Sequence, residues 1–294
     1  MTQQWTVQRI LVPLDASEHS LSALKMAVEL AASLNAELEG LFVEDINLLQ
    51  LSEFPFAREI SFFSPMSRQL ERGSMERQLR IQAQRLKQTL AGMADRFNVA
   101  WTFRIARGGV PAQVLAATEK ADLTILGKAG WSIPGRTQGG STVRTIVSQG
   151  RCMTLIIQHG VRFNPPVQMV FTGTPLSEKA LEISTAMSEV WKMPLLVLIS
   201  GESPEDRQVV EQKAAHILDE LGSRASFQAL PRLSCDQIVR VIESSGTGPL
   251  FLPCERPNLA GGDLQALIDK VRNPVFLVRQ SELEGAESDQ RQAR

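Results

Sequence analysis

The chain has 294 residues, about twice a typical domain, and its 43% hydrophobic and 21% charged residues are ordinary globular proportions that exclude a disordered protein. A formal net charge of −1 excludes bulk electrostatic attraction to nucleic acid or to an anionic membrane, and no run approaches the roughly 18 apolar residues of a membrane span. Residues 1–8 lack a basic segment leading into an apolar core, so the expectation is a soluble cytoplasmic protein without membrane insertion.

Residues 8–14 read as a first strand, and Ser17 is placed to cap a helix whose Leu21, Leu24, Ala27, Val28, Ala31 and Leu34 recur at helical spacing. Asp15 stands between them, either as a turn-forming carboxylate or as a ligand group. Residues 38–43 read as the second strand. The connection over residues 45–65 is apolar, carrying Leu48, Leu49, Leu51 and four of the twelve phenylalanines: Phe54, Phe56, Phe62 and Phe63. It either covers the following helix and the interface between the halves, or reaches across a crevice as a partner surface that changes when the crevice fills. From Met75 the stripe Leu79, Ala83, Leu86, Leu90, Ala94 and Phe97 predicts a long helix. Residues 99–106 form a third strand, Pro111 suits the first turn of a helix, and residues 122–126 form a fourth strand.

Residues 127–142 follow that strand and precede Val143, Ile146 and Val147 at helical spacing, so their glycines lie between a strand and a helix. Open α/β sheets bind ligands at such places, where amide groups at a helix N-terminus face the crevice. Gly127 and Gly130 would let the backbone approach a phosphate, Gly140 is a candidate for positive φ, and Ser141 a candidate cap and hydroxyl donor. The alternative is a plain glycine-bearing loop.

The spacing Gly-x2-Gly-x9-Gly-Ser resembles the nucleotide-binding signature of the universal stress protein family, in its ATP-binding branch. Residues 9–15 (RILVPLD), residues 109–112 (GVPA) and residues 121–123 (ADL) are similar to other stretches of that family, over residues 7–158. The resemblance implies an open, mainly parallel five-stranded sheet of order 3-2-1-4-5 flanked by helices, akin to adenine-nucleotide alpha-hydrolases. It implies ATP, or AMP or ADP, with or without Mg²⁺. Its contacts would be Pro13, Asp15, Val43 at the adenine edge, Gly127, Lys128, Gly130, Gly140, Ser141 and Thr142. A last-strand pairing would also let a tandem chain close on itself as an internal pseudo-dimer, with a further homodimer as an open alternative.

A fifth strand over residues 152–157 completes the first unit, placed at residues 1–160. After Pro165-Pro166 the pattern restarts over residues 166–280, with Ser177-Glu178-Lys179-Ala180-Leu181 echoing Ser20-Leu21-Ser22-Ala23-Leu24. Residues 167–172, 195–199, 225–230, 249–252 and 274–278 supply its strands, and residues 234–237 suggest a capping box. The polar tail over residues 281–294 is expected to be disordered. Aligning the repeat sets Thr172 against Asp15, Pro253 against Gly127, Arg256 against Gly130 and Asp263 against Ser141, so the second unit reads as a degenerate copy. Cys152, Cys235 and Cys254 are odd in number and far apart, and His19, His159 and His216 lack metal-ligand spacing, so neither a disulfide framework nor a protein metal site is expected.

Three functional readings follow. One is a stress regulator that binds an adenine nucleotide in its first unit and acts through conformation or an unidentified protein partner. A second is an adenine-binding enzyme, but the Ser-Gly-Gly-x-Asp-Ser loop that such an enzyme would carry is replaced here by Leu14-Asp15-Ala16-Ser17-Glu18. On the first reading, turnover is absent or limited to slow hydrolysis or autophosphorylation on Ser141 or Thr142. The third is a scaffold without a nucleotide.

Overall fold

A computed structural model describes residues 6–52, 58–60, 67–69, 72–128, 140–161, 163–230, 234–254 and 261–279. Phe54, Phe56, Phe62, Phe63, Gly130, Arg256 and the tail over residues 281–294 lie outside these.

The first half runs β1 (Arg9–Leu14), α1 (Glu18–Leu34), β2 (Glu37–Asp45), α2 (Ile46–Leu51), β3 (Arg58–Ile60), β4 (Ser67–Gln69), α3 (Arg72–Ala94), β5 (Trp101–Gly108), α4 (Val110–Thr118), β6 (Leu123–Gly127), α5 (Ser141–Gln149) and β7 (Met153–Ile157). The second runs β8 (Val167–Phe171), α6 (Pro175–Trp191), β9 (Leu195–Ser200), α7 (Pro204–Glu220), β10 (Ala225–Leu230), α8 (Cys235–Ser245), β11 (Leu250–Pro253), α9 (Gly261–Lys270) and β12 (Val275–Val278).

The long strands form one sheet in the order β10-β9-β8-β11-β12-β7-β6-β1-β2-β5. Each half is parallel and has the order third, second, first, fourth, fifth among its long strands. The halves meet where β12 pairs antiparallel with β7, in the register Val275 to Ile156, Phe276 to Leu155 and Leu277 to Thr154. The two five-stranded sheets are thus one ten-stranded sheet, and the pairing covers two edges that would otherwise expose unpaired amides.

The burial pattern follows from this order. Strands β7, β8, β11 and β12 are buried at every residue, whereas β5 and β10 at the two edges mix exposed and half-buried positions, with Leu230 of β10 alone buried. Strands covered on both faces need near-continuous apolar runs, and edge strands do not. Side chains of α1, α3, α6 and α7 pack in one layer, and those of α4, α5, α8 and α9 in the other. Both layers run across the junction between halves.

Several local expectations are corrected. Residues 45–65 are not simply a loop, since they hold α2 and join the hairpin of β3 with β4. The stripe of α3 buries Leu79, Ala83, Leu86, Leu90 and Ala94, but Phe97 belongs to a short 3-10 turn and is 52% exposed. Ser234 precedes α8 without making a side-chain cap bond, so the capping box expected there is absent. The reciprocal box is at α7, where Ser203 Oγ accepts from Asp206 N at 3.0 Å and Asp206 Oδ2 accepts from Ser203 N at 3.2 Å. Ser17 does cap α1, its Oγ accepting from Ser20 N at 3.1 Å.

Candidate functional site

The order β2-β1-β6 reverses direction on either side of β1, and the crevice at the carboxyl ends of these strands is where an open α/β sheet offers a binding site. A cleft of about 900 Å³ lies there. Pro13, Leu14 and Asp15 line it from β1, Leu41, Phe42 and Val43 from β2, Leu126 and Gly127 from β6, and residues 140–144 from α5. Val110, Pro111 and Val114 of α4, Asp45, Asn47 and Leu48 around the start of α2, Leu79 and Gln82 of α3, and Ser17 and Ser20 at the start of α1 complete the wall.

The sharp turn after β1 positions the first carboxylate. Asp15 Oδ1 accepts from Ser17 N at 3.0 Å, and its main-chain oxygen accepts from Gln82 Nε2 of α3 at 3.0 Å. Ala16 takes a left-handed conformation with φ of 62°, and Gly173 takes the matching one in the second half with φ of 77°. Asp15 is therefore a turn former and a cleft residue at once. At β2 the ladder to β1 ends with Leu14 opposite Phe42, while the ladder to β5 continues from Val43 to Asp45. Val43 thus begins the stretch of β2 that outruns β1 and borders the cleft.

Gly140 N donates to Lys128 O at 3.2 Å, and Arg144 N makes the first helical bond of α5, to Gly140 O at 3.1 Å. The amides of Ser141, Thr142 and Val143 precede that bond, so the cleft faces the positive end of α5. Gly140 has φ of −61° rather than the positive value expected, and no side chain caps the helix, so Ser141 is its first residue and not its cap. Gly127 has a packing reason of its own: an added Cβ would stand 2.7 Å from His19 C and O, because the first turn of α1 crosses the end of β6.

Lys128 does not reach the cleft with its side chain. It is 6% exposed, and its ammonium donates to Asp269 O and Val271 O, both at 3.0 Å, at the end of α9 in the other half. Burial holds its pKa below the usual lysine value, with Asp269 working in the opposite direction. Arg279 does the converse, donating from Nη1 to Ile146 O at 2.8 Å and Gly150 O at 2.6 Å and from Nη2 to Val147 O at 2.6 Å, at the end of α5. Each cation donates to carbonyls at or just beyond a helix C-terminus, where the helix supplies few donors, although Ile146 O also accepts from Gly150 N.

The second half differs at the matching place. Residues 201–203 connect β9 directly to α7, whereas residues 46–71 separate β2 from α3. Lys213 of α7 donates to Gly173 O at 2.7 Å and pairs with Glu178 at 2.6 Å. A lysine thus bonds the turn of the second half one residue beyond the position where Gln82 bonds the turn of the first, and Asp263 is in the first turn of α9. The thiols offer no ready nucleophile, since burial raises Cys152 and Cys235 and pushes Cys254 up to about 11. Among the described residues no group of three or more His, Cys, Asp or Glu is arranged to hold a metal, and no helix is long and apolar enough to cross a membrane.

Next to Gly127, His159 N donates to His19 Nδ1 at 3.2 Å, and Ser22 Oγ lies 2.9 Å from His159 Nδ1. Burial, and then His159, lower the His19 pKa, against the opposite pull of Asp15 and Glu18. A histidine with a depressed folded pKa binds fewer protons folded than unfolded, so its contribution is complete above about pH 6.5 and is lost as pH falls toward the folded value. Unfolding free energy is expected to fall on acidification from about pH 7 to about pH 5. His19→Asn should flatten that slope in urea titrations.

The chain is thus a doubled, mainly parallel α/β sheet with a cleft at the switch point of its first half. The family model described as the universal stress protein family matches residues 6–158, and the chain belongs to that family. The structure is similar to a universal stress protein from Archaeoglobus fulgidus DSM 4304, with a TM-score of 0.71 and 15% identity over 92% of this chain and 98% of that one. A functionally unknown protein from Pseudomonas aeruginosa PAO1 aligns with a TM-score of 0.61 and 12% identity over 98% of both chains. The cytoplasmic domain of a prokaryotic cation chloride cotransporter also aligns, with a TM-score of 0.52 and 12% identity over 97% of this chain and 99% of that domain. No curated protein sequence matches the chain. At these identities the structural likenesses speak for the fold, and the site has to carry the function.

Proposed function

We propose that the first half binds one adenine nucleotide and that the chain acts as a stress regulator through the conformation of this half, not through turnover. One observation carries the reading: Asp15, Val43, Gly127, Gly140, Ser141 and Thr142, from four separate stretches, converge on one cleft. Its volume lies within the ordinary range for small-molecule sites. Leu41, Val43, Val114 and Leu126 supply an apolar wall for a base, Asp15 an acceptor for ribose hydroxyls, and the amides at the start of α5 a seat for phosphate. The residues therefore fit an adenine nucleotide, and Mg²⁺ would arrive with its phosphates. Asp263, which aligns with Ser141, would set a carboxylate against phosphate and disfavours a second site, so the expected stoichiometry is one. On this reading a protein partner reads α2, where Leu48 both lines the cleft and is 41% exposed beside Ile46 and Leu51.

Calorimetric titration with ATP should give one site per chain, and Gly130→Asp with Gly140→Asp should abolish it by setting carboxylates against phosphate. Hydrogen exchange over residues 46–52 should slow when ATP is added. A stoichiometry near two, binding that survives the double substitution, or steady hydrolysis at about 1 per second or faster would overturn the reading. Absence of any nucleotide binding would leave the scaffold reading in its place.

A further inference from the structure

The ionisable side chains that line the cleft are unevenly placed. Asp15 stands at the end of β1 and Asp45 at the end of β2, while Arg144 lies across from them on α5 and is the one cationic side chain among the described lining residues. Both carboxylates are held by local backbone: Asp15 Oδ1 accepts from Ser17 N, and Asp45 Oδ1 accepts from Asn47 N at 2.9 Å as the cap of α2. The cleft is thus negative on its β1 and β2 side and positive on its α5 side. A ligand matched to that field carries its uncharged hydroxyls and ring at one end and its anionic charge at the other.

Arg144 is one helical turn beyond Gly140, to whose oxygen its own amide is bonded. Side chains on a helix lean toward its N-terminus and cover the turn before their own Cα. Arg144 lines the cleft together with Ser141 and Thr142, at the helix end that already favours an anion. A planar guanidinium can make two parallel bonds to one phosphate or bridge neighbouring phosphates, which a single amide cannot do.

We infer that Arg144 is the specificity-determining residue for the phosphate chain, selecting nucleoside di- and triphosphates over the monophosphate and the nucleoside. The inference rests on the nucleotide reading above and adds to it the number of phosphates preferred and the residue that counts them. Gly127, Gly140 and Ser141 accept any phosphate, and Arg144 rewards the charge beyond the first.

The test compares ATP, AMP and adenosine on the full chain and on its Arg144→Gln and Arg144→Lys variants, with adenosine measured by competition against ATP. Arg144→Gln should weaken ATP about tenfold or more, weaken AMP less and leave adenosine unchanged, and it should reduce the salt dependence of ATP binding. Arg144→Lys should restore part of the loss, as a point charge without the fork. ATP affinity equal to that of the parent chain in Arg144→Gln overturns the assignment, as does an equal loss for all three ligands, which would mark a structural role. Failure of the parent chain to bind ATP or AMP sinks the nucleotide reading itself and this inference with it.

Discussion

Replacement of Lys128 by methionine is expected to lower the unfolding free energy by about 2–3 kcal/mol while leaving nucleotide affinity nearly unchanged. The methionine keeps an unbranched apolar stem in the buried channel, so packing is largely conserved and the loss reports the ammonium. Two carbonyls, of Asp269 and Val271, then end α9 without this donor. A hydrogen bond to a charged group contributes about 1.5–3 kcal/mol, and release from the cost of burying the cation offsets part of the sum. Urea denaturation gives the magnitude, and faster amide exchange at the end of α9 would locate it. The contrast between stability and affinity separates a strut across the two halves from a phosphate contact. A variant of unchanged stability that loses ATP would return Lys128 to the cleft.

Lys128 also shows why part of the site was illegible in the sequence. The family resemblance set Lys128 among the nucleotide contacts. Its partners lie 141 and 143 residues away, across a junction that exists only once β12 has paired with β7. Nothing local encodes such a contact. The parallel sheet covered on both faces, by contrast, followed from apolar runs alternating with helical stripes, and its strand order was what the family resemblance implied.

The errors at helix ends have a different cause. Ser141 and Ser234 both have the composition of a cap, but a cap requires the side chain to fold back onto an amide two or three residues ahead, which neither does. The reciprocal box at Ser203 and Asp206 is legible as Ser-Pro-Glu-Asp, a cap residue with an acid three positions on, at the start of α7. Arg144 is less so. Its spacing of four from Gly140 carries the information, but only once α5 is known to begin at Ser141. The lysine over the turn of the second half was hidden as well, since its partner lies 40 residues away and the two meet only once α7 has packed against α6.

Substitution of Gly127 by alanine is expected to cost about 2–3 kcal/mol and to remove nucleotide binding, although it adds only one methyl group. That methyl would meet the carbonyl carbon and oxygen of His19 at 2.7 Å and its Cβ at 2.8 Å. The obstacle is backbone inside the first turn of α1, so it cannot rotate away as a flexible side chain could. Relief requires α1 to lift from β6. Such a shift loosens the layer that Ala23, Leu24 and Ala27 make against the sheet, and it disturbs the turn of Asp15 and Ser17 at the mouth of the cleft. Gly92→Ala provides the control. It lies inside α3 with nothing within 4 Å of the added carbon, and there the same methyl should stabilise by about 0.5–1 kcal/mol, through helix propensity alone. Thermal unfolding of both variants, with and without ATP, reads stability and binding together: Gly127→Ala should melt lower and lose its ATP-dependent rise, whereas Gly92→Ala should melt higher and keep it. A Gly127→Ala protein with the parent melting temperature would mean that α1 yields freely at this crossing, and that the glycine is required by the ligand and not by the fold.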